Sequence, residues 1–71
     1  MNLSETIKEK LKEKNIKISE LSRITKISVV SLRKYIEGIR YPNVNNLMKV
    51  CKALDIDYGK AYDEFYRNKR G

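Results

Sequence analysis

Residues 18–42 of the chain, ISELSRITKISVVSLRKYIEGIRYP, hold two short apolar-periodic segments with a break between them. In the first segment, apolar residues recur every three positions at Ile18, Leu21 and Ile24. Ser19 is of the residue type that commonly caps a helix N-terminus, because its hydroxyl can accept a free backbone N–H. The pattern therefore predicts a short helix over residues 19–25 with the three apolar residues facing the core.

The second segment carries the signals of a helix start and a helix stop. Ser28 is a cap residue, and Ile27 and Leu32 have the spacing of a hydrophobic staple around it. Gly38 ends the segment, because glycine enters the left-handed conformation of a helix C-terminus without steric cost. These signals predict a helix over residues 29–37.

The break between the two predicted helices is about three residues long. So short a connection makes the helices cross steeply, which is the geometry of a helix-turn-helix. The link after Gly38 is predicted to be extended, because the residue before Pro42 avoids the helical region.

Two further helices flank this region. Apolar residues recur every four positions at Leu3, Ile7 and Leu11. They predict an amphipathic helix that ends at Asn15, a residue type found in left-handed caps. Asn43 is the predicted cap of a fourth helix. The buried stripe of that helix is predicted to consist of Val44, Leu47, Met48, Cys51 and Leu54. In this position Cys51 is a small core residue rather than a reactive thiol.

Asp57 is the predicted cap of a fifth helix over residues 58–67. Four of the six aromatic residues lie on its apolar face: Tyr58, Tyr62, Phe65 and Tyr66. Two interpretations of this face are open. It either packs only against the chain's own core, or it packs there and also forms a self-association surface.

The composition excludes several classes of protein. A chain of 71 residues has one small core, so we predict a single helix-turn-helix domain over residues 1–71, with the motif at about 18–37. The sequence has no His, no Gly-rich phosphate loop and one Cys, so we predict no catalytic site, no metal site and no cofactor. It has no membrane-length apolar run and no pair of cysteines, which favours the cytoplasm.

An excess of basic residues indicates a polyanionic partner. The chain has 16 Lys and Arg against 9 Asp and Glu, a net charge of +7. Six basic and two acidic residues lie between Lys17 and Arg40, whereas one basic and four acidic residues lie between Asp55 and Tyr66. We therefore expect nucleic acid to bind at the helix-turn-helix, with the last helix turned away from it.

An ordered set of apolar, cap and turn residues extends through this region: Leu21, Ile27, Ser28, Leu32, Gly38, Pro42 and Leu47. At these spacings residues 18–56 resemble the lambda-repressor-like, Cro-type helix-turn-helix family. The resemblance implies an all-α, compact bundle of four or five helices. It also implies binding of double-stranded DNA as a dimer, a repressor-type role in transcription, an inverted-repeat operator, and phage or mobile-element control.

The resemblance further implies a division of roles among residues. In the family, the second helix of the motif enters the major groove with its first residues against base edges. The base-reading positions here are Val29, Val30, Arg33 and Lys34, with Leu32 and Tyr35 turned inward. The positions expected to touch the DNA backbone are Lys17, Ser19, Lys26, Ser28, Ser31, Arg40, Tyr41 and Asn43. Lys26 stands at a turn position where the family commonly has glycine, so a left-handed conformation there costs about 1 kcal/mol.

Two functions are open from the sequence. The first is a sequence-specific DNA-binding transcriptional regulator. The second is a helix-turn-helix domain used as a protein-binding module, an antirepressor or adaptor that captures another regulatory protein. The apolar residues Ile18, Val29 and Val30 and the aromatic last helix favour the second, because they provide a hydrophobic contact surface.

Overall fold

The computed structural model describes residues 3–64. These residues form five helices, α1 (Leu3–Lys14), α2 (Ile18–Thr25), α3 (Val29–Ile36), α4 (Val44–Leu54) and α5 (Tyr58–Tyr62). Over this range the chain contains no β-strand, which confirms the predicted all-α class. The predicted end of the last helix near residue 67 lies outside the described residues, as do Phe65 and Tyr66.

Five of the predicted cap and turn residues lie at helix boundaries as expected. Ser28, Asn43 and Asp57 each cap a helix by accepting the backbone N–H three residues further along. Asn15 and Gly38 adopt left-handed conformations, with φ of 55° and 75°, at the ends of α1 and α3. These signals are local, so they act independently of how the helices later pack.

Two predictions for α2 are wrong. The helix begins at Ile18 after an extended Lys17 that makes no side-chain cap, so Ser19 lies inside the first turn instead of capping it. Ile24 is 53% exposed, and Thr25 is buried in its place. The Thr25 hydroxyl can be buried because it donates a hydrogen bond of 2.7 Å to the carbonyl oxygen of Leu21.

The core lies around α4, which packs against α1, α2 and α5, while α3 packs against α1 and α2. Its buried apolar side chains come from all five helices and two of the connecting segments: Leu3, Ile7, Leu21, Ile27, Leu32, Tyr35, Leu47, Val50, Cys51, Leu54, Ile56 and Ala61. Burial of one leucine-sized side chain contributes about 1.5–3 kcal/mol. The packing of α2 and α3 on this core fixes the helix-turn-helix in place.

The predicted stripe on α4 is partly wrong. Leu47, Cys51 and Leu54 are buried as predicted, but Val44 and Met48 are exposed and Val50 is buried instead. Both stripes have helical spacing, so periodicity alone does not choose between them. The arrangement of α1, α2 and α5 around α4 decides which side of the helix is covered.

Cys51 is confirmed as a core residue. Burial raises the pKa of its thiol, and the nearby charge of Asp57 raises it further. A thiol with a raised pKa carries little thiolate at neutral pH, which is the reactive form. Cys51 therefore acts as a packing residue on the buried side of α4.

Polar contacts at both ends of α1 tie it to the rest of the described chain. The Ser4 hydroxyl donates a hydrogen bond to the carbonyl oxygen of Ile36 at the end of α3. The Lys14 ammonium donates a hydrogen bond of 2.9 Å to the carboxylate of Asp55, which follows α4. This hydrogen bond, together with the charge of Lys14, lowers the pKa of the Asp55 carboxyl. Because Asp55 is exposed, the pair contributes little to stability.

Candidate nucleic-acid interface

The turn between α2 and α3 is held by hydrogen bonds within the chain. Lys26 adopts a left-handed conformation with φ of 61°, and its N–H donates to the carbonyl oxygen of Ser22 at 2.7 Å. The Ser22 hydroxyl donates to the carbonyl oxygen of Ile27 at 2.6 Å. The Ile27 N–H in turn donates to the Thr25 hydroxyl at 3.3 Å. These contacts fix the angle at which the chain enters α3.

The start of α3 is fixed by its cap and by the core. The Ser28 hydroxyl accepts the N–H of Ser31 at 3.1 Å. Ile27 and Leu32, the two members of the predicted staple, are both buried. With the cap satisfied and the staple anchored, the first turn of α3 is held in a defined position.

The two sides of α3 differ in exposure as the sequence predicts. Leu32 and Tyr35 are buried, whereas Arg33 and Lys34 are exposed. Val30 is 63% exposed and Val29 is half-buried. Within residues 3–64 neither Arg33 nor Lys34 forms an ion pair. The outer side of α3 thus presents two cationic side chains and an apolar one to any ligand that approaches it.

The end of α3 leads into the link through a Schellman motif. The N–H of Ile39 donates to the carbonyl oxygen of Lys34 at 3.0 Å, and the N–H of Gly38 donates to that of Tyr35 at 3.2 Å. Gly38 has φ of 75°, a conformation that strains a residue with a Cβ atom. After this turn Arg40 and Tyr41 are exposed.

The start of α4 is tied directly to α3. Asn43 caps α4 by accepting the N–H of Asn46 at 2.8 Å. The Asn46 side-chain amide donates to the Tyr35 hydroxyl at 3.0 Å, which links the first turn of α4 to the buried side of α3. The sequence alone does not single out Asn46, because an Asn–Tyr contact between helices leaves no local spacing signal. The two elements expected to touch DNA are therefore held relative to one another by a hydrogen bond.

The predicted backbone-contact residues are accessible in the structure. All are exposed except the half-buried Ser31: Lys17, Ser19, Lys26, Ser28, Ser31, Arg40, Tyr41 and Asn43. The first N–H groups of a helix have no partner inside the helix, so the start of α4 also offers backbone donors for an anion.

The predicted self-association residues lie only partly within the described chain. Tyr58 is half-buried and Tyr62 is 41% exposed, with their ring centroids 5.8 Å apart. An apolar cleft of about 480 Å³ lies along α4 beside the start of α5. Its lining includes Tyr58 and the exposed residues Met48, Lys49 and Lys52.

Comparison with known protein families matches residues 6–60 to the Cro/C1-type HTH DNA-binding domain. The chain belongs to this family. The matched segment begins in α1, contains the whole helix-turn-helix and ends in α5. The Cro/C1-type family is one of DNA-binding regulators, so this chain carries a DNA-binding domain. Neither the curated proteins nor the solved structures gave a significant match.

Among residues 3–64, no group of three His, Cys, Asp or Glu side chains is placed to hold a metal ion. None of the five helices has the length and apolar character needed to span a membrane.

Proposed function

We propose that this protein is a sequence-specific DNA-binding transcriptional regulator of the repressor type, which acts in the cytoplasm and reads DNA with α3. The proposal rests on the state of α3, the second helix of a Cro/C1-type helix-turn-helix. Its start is capped by Ser28, and its outer side is exposed. In such motifs the N-terminal part of the second helix lies in the major groove. Arg33 is the main base-reading residue, because a guanidinium can hold guanine O6 and N7 with two hydrogen bonds.

The other positions on α3 contribute weaker discrimination. Lys34 contacts base edges as a flexible point charge, while Val29 and Val30 contact thymine methyl groups. The remaining contacts are made to phosphates and carry no base information themselves. They come from the exposed residues before α2, in the turn, in the link and at the start of α4: Lys17, Ser19, Lys26, Ser28, Ser31, Arg40, Tyr41 and Asn43.

The protein binds its operator as a homodimer in this proposal. Two reading helices then lie about 34 Å apart, one DNA turn, and the operator is an inverted repeat. Tyr58, Tyr62, Phe65 and Tyr66 form the contact between protomers. The exposure of Tyr62 and the apolar cleft beside Tyr58 support this assignment, because an apolar surface of that kind is stabilised by a second copy.

Fluorescence anisotropy with duplexes from the native locus, over a series of salt concentrations, tests the proposal. We expect one duplex to bind in the nanomolar range, with an affinity that falls steeply as salt rises because bound phosphates release counterions. Binding of every duplex no tighter than micromolar would contradict it.

Lys26 allows the turn and the phosphate contact to be tested in one residue. Lys26→Gly is expected to raise the free energy of unfolding by about 1 kcal/mol, because glycine adopts the left-handed conformation without a Cβ clash. It is also expected to weaken binding to all DNA sequences alike. The slope of log affinity against log salt concentration should fall in magnitude by about one. Lys26→Ala is the matched control, since it removes the same charge but keeps the Cβ atom. Thermal unfolding and anisotropy check both effects, and equal stabilities of the two variants would refute the strained turn.

A second function is supported by the exposure of Val30 in the first turn of α3 and of Ile39 in the link that follows the helix. In that alternative the same face captures another regulatory protein, and the domain acts as an antirepressor or adaptor. Pull-down from the native cell with and without nuclease separates the two functions. A stoichiometric partner that survives nuclease treatment supports the protein-binding module, whereas a partner lost with the DNA opposes it.

A further inference from the structure

A second cleft of about 480 Å³ lies between the C-terminal half of α2 and α4. It is lined by Ile24, Thr25, Lys26, Lys49, Lys52 and Ala53. Half of these residues are lysines and none is acidic. The cleft is therefore a concentrated cationic site, distinct from the outer side of α3.

The lysines of this cleft have no counterion within the described chain. All three are exposed, and no ion pair within residues 3–64 involves them. Like charges that surround one cleft repel each other. An anionic partner relieves this repulsion, so its binding there is electrostatically favourable.

The rest of the lining is largely apolar. Ile24 is 53% exposed although it lies in a helix that packs on the core, and the methyl group of Ala53 is half-buried beside it in the lining. Apolar contact area bordered by charged side chains is the usual anatomy of a protein–protein interface. The partner should therefore offer apolar atoms as well as negative charge.

The position of the cleft separates it from the proposed DNA contacts. In the proposed orientation DNA lies at the N-terminal ends of α2 and α4. With a rise of 1.5 Å per residue, Lys49 and Lys52 lie about 9 and 14 Å along α4 from Asn43. Only Lys26, in the turn, belongs to both surfaces, so DNA itself does not cover the other two lysines. Lys49 and Lys52 also line the apolar cleft beside Tyr58, so a homodimer formed through that cleft and the proposed partner would share these two lysines.

The chemistry of the cleft favours an extended acidic segment over a compact phosphate ligand. Phosphate is best held by arginine forks or by helix N-termini, and this cleft has lysines only. No first-turn residue of a helix is part of its lining, so the cleft lacks the free backbone N–H donors that bind phosphate. Separate carboxylates that meet separate ammonium groups fit this arrangement.

We propose that the cleft between α2 and α4 binds an acidic, amphipathic segment of a partner protein. Carboxylates of that segment face Lys49 and Lys52, and an apolar side chain contacts Ile24. That the cleft stays accessible in the protein–DNA complex rests on the proposed function, whereas binding of the segment to the free protein does not. The protein would then hold DNA and a protein partner on two separate surfaces.

A labelled peptide that forms an amphipathic helix of Glu and Leu tests this site by fluorescence anisotropy with the full chain. Its probe control is the same peptide with Gln in place of Glu. The cleft variant is Lys49→Gln with Lys52→Gln. The matched control is Lys8→Gln with Lys12→Gln, which removes the same charge from exposed positions on α1. Circular dichroism confirms that both variants are folded.

We expect wild-type protein to bind the Glu peptide more tightly than the Gln peptide. The cleft variant should bind the Glu peptide about five- to tenfold more weakly than wild type does. The α1 control should stay within about twofold, since neither of its lysines lines the cleft. Ile24→Ser should also weaken binding of the Glu peptide, although it leaves the net charge of the protein unchanged. Equal losses in the two lysine pairs, or equal binding of the two peptides, would overturn the proposal.

Binding of an operator duplex to the same variants separates this proposal from the DNA-binding one. The cleft variant and the α1 control should lose DNA affinity to the same small extent. A much larger loss in the cleft variant would assign Lys49 and Lys52 to DNA phosphates and overturn the separate site, while it would leave DNA binding itself intact. Loss of peptide binding with normal DNA binding supports two surfaces.

Discussion

Leu47→Ala is expected to lower the free energy of unfolding by about 2–5 kcal/mol. Leu47 is fully buried in α4, the helix that contacts α1, α2 and α5. Removal of its side chain loses apolar burial and leaves a cavity that the surrounding helices fill only in part. A domain of this size has a total stability of only about 4–11 kcal/mol, so much of it is lost. Urea unfolding followed by circular dichroism measures the change.

Met48→Ala is the control for this prediction, because Met48 is the next residue on α4 and is 51% exposed. We expect it to change the free energy of unfolding by about 0.5 kcal/mol or less, the usual range for surface substitutions. The pair also tests the side of α4 that faces the core. A loss from Met48→Ala as large as that from Leu47→Ala would contradict the packing described above.

Arg33→Ala is expected to remove about 1–3 kcal/mol of discrimination at one base pair of each half-site. The side chain is exposed on the outer side of α3, where no ion pair within residues 3–64 competes for it. A bidentate contact to guanine is lost with the guanidinium, so duplexes that differ at that base pair should bind almost equally. Anisotropy against a set of single-base operator variants measures this directly.

Arg23→Ala provides the control for charge. Arg23 is exposed on α2 and is not among the proposed DNA contacts, so its removal lowers the net charge by the same amount. We expect a small and uniform loss across all duplexes. If Arg33→Ala produces the same uniform loss, Arg33 does not read a base.

The parts of the fold that the sequence predicts are those set by local chemistry. Ser28, Asn43 and Asp57 cap helices because each carries a side-chain oxygen that reaches the N–H three residues on. Gly38 ends α3 because the chain needs a left-handed residue there. None of these signals depends on a partner helix, so the packing of the helices does not change the boundaries that they predict.

The errors arise where packing decides between alternatives that the sequence leaves equal. Ile24 and Met48 have helical spacing from their buried neighbours, yet both are exposed because none of the helices within residues 3–64 covers them. Thr25 is buried despite its hydroxyl, because the carbonyl oxygen of Leu21 accepts its hydrogen bond. Ser19 resembles a cap, but α2 begins one residue earlier without any side-chain cap.

The candidate site follows the same division. The outward positions on α3 follow from its period once Leu32 is assigned to the core, so Arg33 and Lys34 are found from the sequence. The bond between Asn46 and Tyr35 and the convergence of Lys26 with Lys49 and Lys52 are found only in the structure. Each brings residues of α4 together with a residue from another part of the chain, and this depends on how α4 packs.

Selection of bound duplexes from a random DNA library is the most direct test of the central claim, that α3 reads DNA sequence. We predict enrichment of an inverted repeat whose half-sites lie one helical turn apart, with a guanine in each half-site whose enrichment disappears for Arg33→Ala. Recovery of DNA with no enriched sequence would contradict the claim, as would an enriched sequence that Arg33→Ala leaves unchanged.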